Sequence, residues 1–254
     1  MLINDESMTQ VAGLLNRIEN FTLESISENM LVNKPEKPML VWTINLSHLR
    51  EISSLDINIK TLENNTILVA DGWPVKYLAR KLVSRDVNRI TGVDLVKNLL
   101  GKAIEFGVIG STANQVQESV RRNIKNIPSN ARFIYDTQIN LNSYGQLIEI
   151  EQILVKQSTS FTFIALGFPK QEVLFEKMFR GNLLTPGYYF GIGGSFQILS
   201  GQKRRAPGFV QKIGFEWFWR LAQDPLRLIK RYIPDGIFLL RVLVTILVSR
   251  VESS

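Results

Sequence analysis

The chain contains no cysteine and a single histidine, His48, among its 254 residues. The lack of cysteine excludes a disulfide framework, a thiolate metal site and a cysteine nucleophile. One histidine is too few for a histidine-rich metal site, and the G-x-S-x-G element of serine hydrolases is absent. The protein therefore belongs to none of the classes that depend on thiols, disulfides or histidine clusters.

Two longer patterns are also missing. No D-x-D triplet is present, although such a carboxylate pair commonly holds a divalent ion against a nucleotide diphosphate. This absence favours a mechanism in which protein cations offset leaving-group charge. No uninterrupted apolar run reaches the roughly 20 residues that span a bilayer, since Arg241 interrupts the segment 236–251. The acidic start MLINDESMTQ does not resemble a secretory signal, so we expect a cytoplasmic location.

Positive charge is concentrated near the end of the chain. Residues 202–254 hold ten Lys or Arg against four Asp or Glu, which accounts for +6 of the net charge of +7. Such a segment suits nucleic acid, an anionic membrane or a phosphorylated ligand, and composition does not choose among them. It also contains Trp217, Phe218 and Trp219 beside the cations, a combination typical of membrane interfaces.

The hydrophobic pattern predicts an α/β fold. Apolar stretches at 37–45, 65–74, 104–112, 131–138, 160–172 and 187–197 are typical of buried strands that enter turns. Helical spacing follows at 75–82, 113–126 and 144–157. We predict a Rossmann-like, mainly parallel sheet with helices on both faces, formed by residues 1–200, and a helical C-terminal appendage formed by residues 201–254.

Ligands of such sheets lie beyond the carboxyl ends of the strands, so residues just after strands are the candidates for a site. Asp71, in VADGWP, is either a general base or a turn or N-cap aspartate. The glycine turns FGVIGST and YFGIGGSF either bind a phosphate through backbone N–H groups or serve only as tight turns. In ALGFPKQE, Gln171 can donate and accept hydrogen bonds, which suits a sugar hydroxyl or a base edge. The alternative for this stretch is structural, with Glu172 as an ordinary negative charge at a helix N-terminus.

A basic helical face is predicted after Asp224 and Pro225, which form an N-cap followed by proline at the first helical position. Arg227, Lys230 and Arg231 then recur at helical spacing, after Arg220 in the preceding segment. The four cations either grip a diphosphate or form a solvated face.

Taken together, these stretches resemble the WecG/TagA/CpsF family of bacterial glycosyltransferases, glycosyltransferase family 26. The matching pieces occur in family order from about residue 41 to 232 and are TINLSHL, ADGWPV, NRITGVDL, FGVIGST, ALGFPKQE, GIGGSFQILSG, KRRAP and GFEWFWRLAQDPLRLIKRY. The resemblance implies metal-independent, inverting transfer of a hexose from a UDP-sugar to a polyprenyl-diphosphate-linked sugar, in cell-envelope polysaccharide synthesis. It also implies a peripheral location on the inner face of the cytoplasmic membrane, with no further cofactor.

The resemblance assigns roles by motif. Asp71 is implied as the catalytic base, Thr43, Asn45 and Gln171 as contacts of the transferred sugar, and Arg89 as a cation for the diphosphate or acceptor. Arg220, Arg227, Lys230 and Arg231 are implied to bind the diphosphate or lipid acceptor. The remaining substrate-binding candidates are Gly72, Gly110, Ser111, Gly167, Pro169, Lys170, Glu172, Gly193, Gly194 and Gln197.

Two departures bear on the choice of sugar. The family usually has Phe-Asp where this chain has Phe196-Gln197, and it has varied residues in place of Trp73-Pro74. The resemblance implies an N-acetylmannosamine-type donor, and because of these departures glucose, galactose or glucuronic acid is the alternative. A non-catalytic protein that binds nucleotides or nucleic acid through the basic appendage is the alternative from another class, although we expect no nucleic-acid partner. Self-association of the chain is left open.

Overall fold

Strands and helices alternate along most of the chain. The computed structural model describes residues 3–52, 64–102, 104–123, 131–135, 139–157 and 159–252. The strands are β1 Pro38–Ile44, β2 Thr66–Ala70, β3 Phe106–Ile109, β4 Ala131–Tyr135, β5 Phe161–Ile164 and β6 Gly187–Gly191. They form one sheet in the order β2-β1-β6-β5-β3-β4, and every pairing is parallel. Each predicted strand is present, although residues 136–138 of the fourth prediction lie outside the described residues.

The helices connect the strands and continue beyond the last one. They are α1 Asp5–Arg17, α2 Leu23–Val32, α3 Leu46–Glu51, α4 Trp73–Leu82, α5 Gly92–Gly101, α6 Ala113–Asn123, α7 Tyr144–Gln157, α8 Lys170–Arg180, α9 Ser195–Leu199, α10 Gly208–Lys212, α11 Glu216–Gln223 and α12 Pro225–Glu252. Helix α5 is absent from our sequence prediction. Its start carries a local signal, because the Thr91 hydroxyl accepts the Asp94 N–H at 3.1 Å as an N-cap.

Both faces of the sheet are buried, which explains why the strands are apolar throughout. In β1, Leu40, Trp42 and Ile44 belong to one hydrophobic cluster, whereas Val41, between them, belongs to the other. Side chains alternate between the two faces of a strand, so each cluster lies between the sheet and one layer of helices. The predicted Rossmann-like α/β fold is confirmed.

Parallel strands bring their carboxyl ends to one edge of the sheet, and the appendage covers that edge. Helix α12 contacts α3, directly after β1, and a Cβ added at Gly214, before α11, would lie 3.0 Å from the Trp73 ring at the start of α4. The break at Asp224 and Pro225 is present as predicted, since α12 begins at Pro225. The Asp224 carboxylate accepts from Arg227 Nε at 2.6 Å.

Helix α12 has an apolar outer surface. By length and composition alone, its segment Pro225–Ser249 is long and apolar enough to cross a membrane, and 17 % of its most apolar stretch is buried. This differs from our sequence expectation, which was based on the interruption at Arg241. The same properties describe an amphipathic helix that lies along a membrane surface.

The turn after β3 yields a stability prediction. Gly110 has φ +84°, and a Cβ there would lie 2.4 Å from Leu166 Cδ2. We expect Gly110→Ala to lower the free energy of unfolding by about 1–3 kcal/mol because of backbone strain, as measured by urea denaturation. Gly145→Ala is the matched control, since it lies in α7 with nothing within 4 Å of the added carbon. Equal unfolding midpoints for the two variants would contradict this account of the turn.

Candidate active site

A cavity of about 360 Å³ lies at the carboxyl edge of the sheet. Its lining combines residues at or after the ends of β1, β2, β5 and β6 with residues of the appendage. The predicted site residues that line it are Thr43, Asn45, Asp71, Gly167, Gln171, Gly193, Gly194, Gln197, Arg220, Arg227 and Arg231. The fold thus brings together residues that are up to 188 positions apart in the chain.

The other predicted site residues lie outside this lining. Lys230 is exposed on α12, and the Ser111 hydroxyl is bonded to Gln115 Oε1 at 2.8 Å. Glu172 is fully buried behind the cavity wall. The complete set outside the lining is Gly72, Arg89, Gly110, Ser111, Pro169, Lys170, Glu172 and Lys230.

Asp71 is fixed by the end of β2. Its backbone N–H donates to the Ile44 carbonyl at 2.7 Å, and Gly72 follows with φ +93°. Burial raises the pKa of the Asp71 carboxyl above its ordinary value, while the positive charges of Arg220 and Arg89 oppose that rise. The carboxylate is therefore a stronger base than a solvated aspartate and is still held near cations.

Glu216 joins the appendage to the sheet edge beside Asp71. Its carboxylate accepts from Arg220 Nη2 at 2.6 Å through Oε1 and from Arg89 Nη1 at 3.3 Å through Oε2. The pKa of Glu216 is lowered: burial would raise it, but the neighbouring arginines outweigh that effect. Arg89 thus contacts the site through Glu216, and a bridge between Ala70 and Arg89 places its backbone next to the end of β2.

Arg231 makes the second junction between appendage and sheet edge. It donates from Nε to Ser47 Oγ at 2.6 Å and from Nη2 to Asn45 Oδ1 at 3.1 Å. Asp235, one turn later, accepts from the Ser47 hydroxyl and from Arg50 Nε at 2.8 Å. These bonds link α12 to the start of α3, so the appendage is closed over the cavity.

Gln171 shapes the glycine turn that follows β6. Its Oε1 accepts the Gly193 N–H at 2.9 Å, and its Nε2 donates to Glu172 Oε1 at 2.8 Å. A Cβ at Gly191 would lie only 2.8 Å from Gln171 Nε2, so a side chain at this strand end would displace the Gln171 amide. The buried amide therefore supports the wall of the cavity in addition to facing it.

Several residues that line or support the cavity were not among our predicted site residues. They are His48, Lys203, Arg204, Glu216 and Tyr232. Each lies inside a motif that carries the family resemblance, such as TINLSHL for His48 and KRRAP for the two cations. Sequence spacing gave no signal for their roles, because a lone histidine or a run of cations more often has a structural role.

The electrostatic character of the cavity favours an anion. Five cations line it, and they are Lys203, Arg204, Arg220, Arg227 and Arg231. Asp71 and Asp224 are the acidic residues of the lining. Among the described residues, no group of three histidine, aspartate or glutamate side chains is placed to hold a metal ion. Forked guanidinium groups are well suited to phosphate oxygens.

These features define a Rossmann-like α/β protein with an acidic group and converging cations at the ligand edge of its sheet. Residues 11–252 match the model of the glycosyl transferase WecG/TagA/CpsF family, and the chain therefore belongs to that family of glycosyltransferases. The resemblance inferred from the motifs is confirmed over almost the whole chain.

Curated relatives carry a more specific name. The chain is 24 % identical over 239 residues to an N-acetylglucosaminyldiphosphoundecaprenol N-acetyl-beta-D-mannosaminyltransferase of Staphylococcus aureus (strain MW2), covering 88 % of this chain and 89 % of the relative. It is 27 % identical over 175 residues to a protein of the same name from Bacillus subtilis (strain 168), covering 65 % of this chain and 64 % of the relative.

The junction at Glu216 yields a prediction about appendage closure. Glu216→Gln removes the charge that Arg89 and Arg220 share, and an uncompensated, partly buried cation costs about 1–3 kcal/mol. We expect limited trypsin digestion to cleave the appendage roughly tenfold faster, since local opening becomes easier.

Glu118→Gln is the matched control for that measurement. Glu118 also accepts from two arginines, Arg121 at 2.7 Å and Arg122 at 2.5 Å, but all three lie on α6. An equal cleavage rate in both variants would show that Glu216 does not hold the appendage.

Proposed function

We propose that the protein transfers a hexose from a UDP-sugar to a polyprenyl-diphosphate-linked sugar, with inversion at the anomeric carbon and without a metal ion. The observation that carries this proposal is the placement of Asp71 and the appendage arginines around one cavity. A general base and several phosphate-binding cations are the groups that such a reaction requires.

Asp71 acts as the base in this proposal. The acceptor hydroxyl oxygen bonds to the anomeric carbon while the bond from that carbon to the UDP oxygen breaks. The hydroxyl proton passes to the Asp71 carboxylate, and the bonding electron pair leaves with UDP. The raised pKa of Asp71 suits this role, because a base accepts a proton more readily when its pKa approaches the working pH.

The arginines offset the charge that develops on the departing diphosphate. Arg220, Arg227 and Arg231 line the cavity, and guanidinium groups bind phosphate oxygens with two parallel hydrogen bonds. Arg231 is already held by Asn45 and Ser47, so little reorganisation is needed when charge develops. In this proposal the arginines serve the purpose that a divalent ion serves in other nucleotide-sugar enzymes.

The name of the two relatives supports the identity of the transferred sugar and of the acceptor. It describes transfer of N-acetylmannosamine to N-acetylglucosaminyl-diphosphoundecaprenol, so we propose an N-acetylmannosamine-type donor and that acceptor class. Gln197 lies in the cavity lining at the position where the family usually has Asp. UDP-glucose, UDP-galactose and UDP-glucuronic acid are therefore the alternative donors. Mass spectrometry of products from these four UDP-sugars decides among them.

The first prediction of this function concerns Asp71. We expect Asp71→Asn to lower kcat by about 10²- to 10⁴-fold, because an amide cannot accept the proton, while calorimetric UDP binding is retained. Because the base must be ionised, wild-type activity falls as the pH drops through the raised pKa of Asp71. The acid limb therefore lies above the ~3.9 of a free aspartate.

Asp86→Asn is the matched control, since Asp86 is an exposed carboxylate 3.3 Å from Lys76 on the surface. Turnover by Asp71→Asn as fast as by this control would refute the assignment of the base.

Membrane contact is the second part of the proposal. Exposed apolar residues recur on α12 every three or four positions, at Leu226, Ile229, Ile233, Ile237, Leu240, Val244 and Leu247. Phe215, Trp217 and Phe218 add exposed rings beside this apolar face. Apolar and aromatic residues flanked by cations suit the inner surface of an anionic membrane, where a polyprenyl-linked acceptor is anchored.

We expect Ile233, Leu240 and Leu247 changed together to Gln to weaken binding to vesicles that contain anionic lipid, because the buried apolar area is lost. Vesicle flotation measures the effect, and UDP binding remains as in the wild type. The control changes three exposed residues away from the appendage, Val32, Tyr144 and Val155, to Ser. Equal flotation of the two triple variants contradicts membrane docking through α12, and association in lipid-free solution would instead indicate a second copy on this face.

A further inference from the structure

The histidine of this chain is enclosed in the wall of the cavity. His48 is 2 % exposed, and its ring centroid lies 4.2 Å from that of Phe168 and 5.6 Å from that of Trp42. Both ring nitrogens face protein groups. Nδ1 accepts the Asn45 N–H at 2.9 Å, and Nε2 lies 3.4 Å from Glu172 Oε1.

The backbone fixes which nitrogen carries the proton. An amide N–H can only donate, so Nδ1 of His48 must present its lone pair to Asn45. A neutral imidazole then has its proton on Nε2, which lies 3.4 Å from the fully buried carboxylate of Glu172. Neither His48 Nε2 nor Glu172 Oε2 has a hydrogen-bond partner among the described residues, so Glu172 is the polar group that faces this proton.

These contacts continue on both sides of His48. Toward β6, Glu172 Oε1 accepts from Gln171 Nε2 at 2.8 Å, and Gln171 Oε1 accepts the Gly193 N–H at 2.9 Å. Toward the appendage, Asn45 Oδ1 accepts from Arg231 Nη2 at 3.1 Å. A series of polar contacts therefore runs from the glycine turn after β6 to a cation of α12, with His48 at its centre, and its one step that is not a hydrogen bond is the 3.4 Å contact between His48 Nε2 and Glu172 Oε1.

We propose that His48, as the Nε2–H tautomer paired with Glu172, is a positioning residue that couples the Gly193 turn to Arg231. Closure of the appendage and the shape of the glycine turn are thereby adjusted together. The effect on turnover rests on the proposed sugar transfer, whereas the tautomer and the coupling are properties of the free protein.

The substrate-free test is nitrogen NMR of protein labelled with ¹⁵N-histidine. Since the sequence has one histidine, a single imidazole signal set is expected. Long-range ¹H–¹⁵N spectra are expected to show a protonated Nε2 and an unprotonated Nδ1. We expect Arg231→Gln and Glu172→Gln to shift this signal set, and Lys230→Gln, a change of an exposed cation on the same helix, to leave it in place. A protonated Nδ1 overturns the proposal, and so does a spectrum that is unchanged in both Arg231→Gln and Glu172→Gln.

The kinetic test uses two partial replacements of the ring. In His48→Asn the amide oxygen can take the place of Nδ1, and in His48→Gln the amide nitrogen can take the place of Nε2. We expect each to lower kcat/KM by about tenfold or more, because a small misplacement near reacting groups is costly. His48→Phe, which has an aromatic ring but neither nitrogen, is expected to have the lowest kcat/KM of the three. Wild-type kcat/KM in His48→Phe overturns the positioning role.

A double-mutant cycle separates coupling from general damage. We expect the effects of Glu172→Gln and Arg231→Gln on kcat/KM to be non-additive by about threefold or more in the wild-type background and additive in His48→Phe. Tyr189→Phe is the control for lost stability, because it removes the 2.9 Å hydrogen bond from the Tyr189 hydroxyl to the Thr185 carbonyl before β6. In the Tyr189→Phe background, the non-additivity between Glu172→Gln and Arg231→Gln is expected to be the same as in the wild type. Additive effects in the wild type overturn the coupling. If the wild type transfers no sugar, the proposed function fails and the NMR result alone decides the role of His48.

Discussion

The rest of the site depends on the opposing effects of burial and of nearby arginine charges on the pKa of Asp71. Burial at the end of β2 raises the pKa of this carboxyl, and the charges of Arg220 and Arg89 oppose the rise. Arg220 belongs to the appendage, so a segment some 150 positions later in the chain moderates the pKa that burial raises. An open appendage would leave Asp71 with different solvation and a different charge environment.

Much of the fold could be predicted from the sequence, and part of the site could not. Strands β1, β3, β5 and β6 are buried and therefore appear as plain apolar runs. The carboxyl ends of the strands identify Asp71, Asn45 and Gln171 as neighbours. Helix α5 is absent from the prediction although Val93, Val96 and Leu100 recur at helical spacing after the Thr91 cap. His48 and Glu216 escaped because their roles depend on tertiary partners 124 and 127 positions away, about which local sequence carries no information.

The cations of the cavity are unequal in what they can bind. Arg89 and Arg220 share Glu216, Arg227 is bonded to Asp224, and Arg231 is bonded to neutral Asn45 and Ser47. A cation held mainly by neutral groups keeps more of its charge for a ligand than one paired with a carboxylate. A diphosphate is therefore expected to compete with Asp224 for Arg227 and to meet less competition at Arg231, whose nearest carboxylate oxygen, on Asp235, is 3.8 Å away.

Helix α12 carries both functions assigned to the appendage. Arg227 and Arg231 line the cavity, whereas Leu226 and Ile233 are among its exposed apolar residues. These side chains all precede Pro234, the proline inside α12, so in the proposed function a membrane that binds this part of the helix also orients the arginines. A polyprenyl-linked acceptor presents its diphosphate at that same interface. In the proposed function, one helix therefore contacts both the lipid surface and the diphosphate of the acceptor.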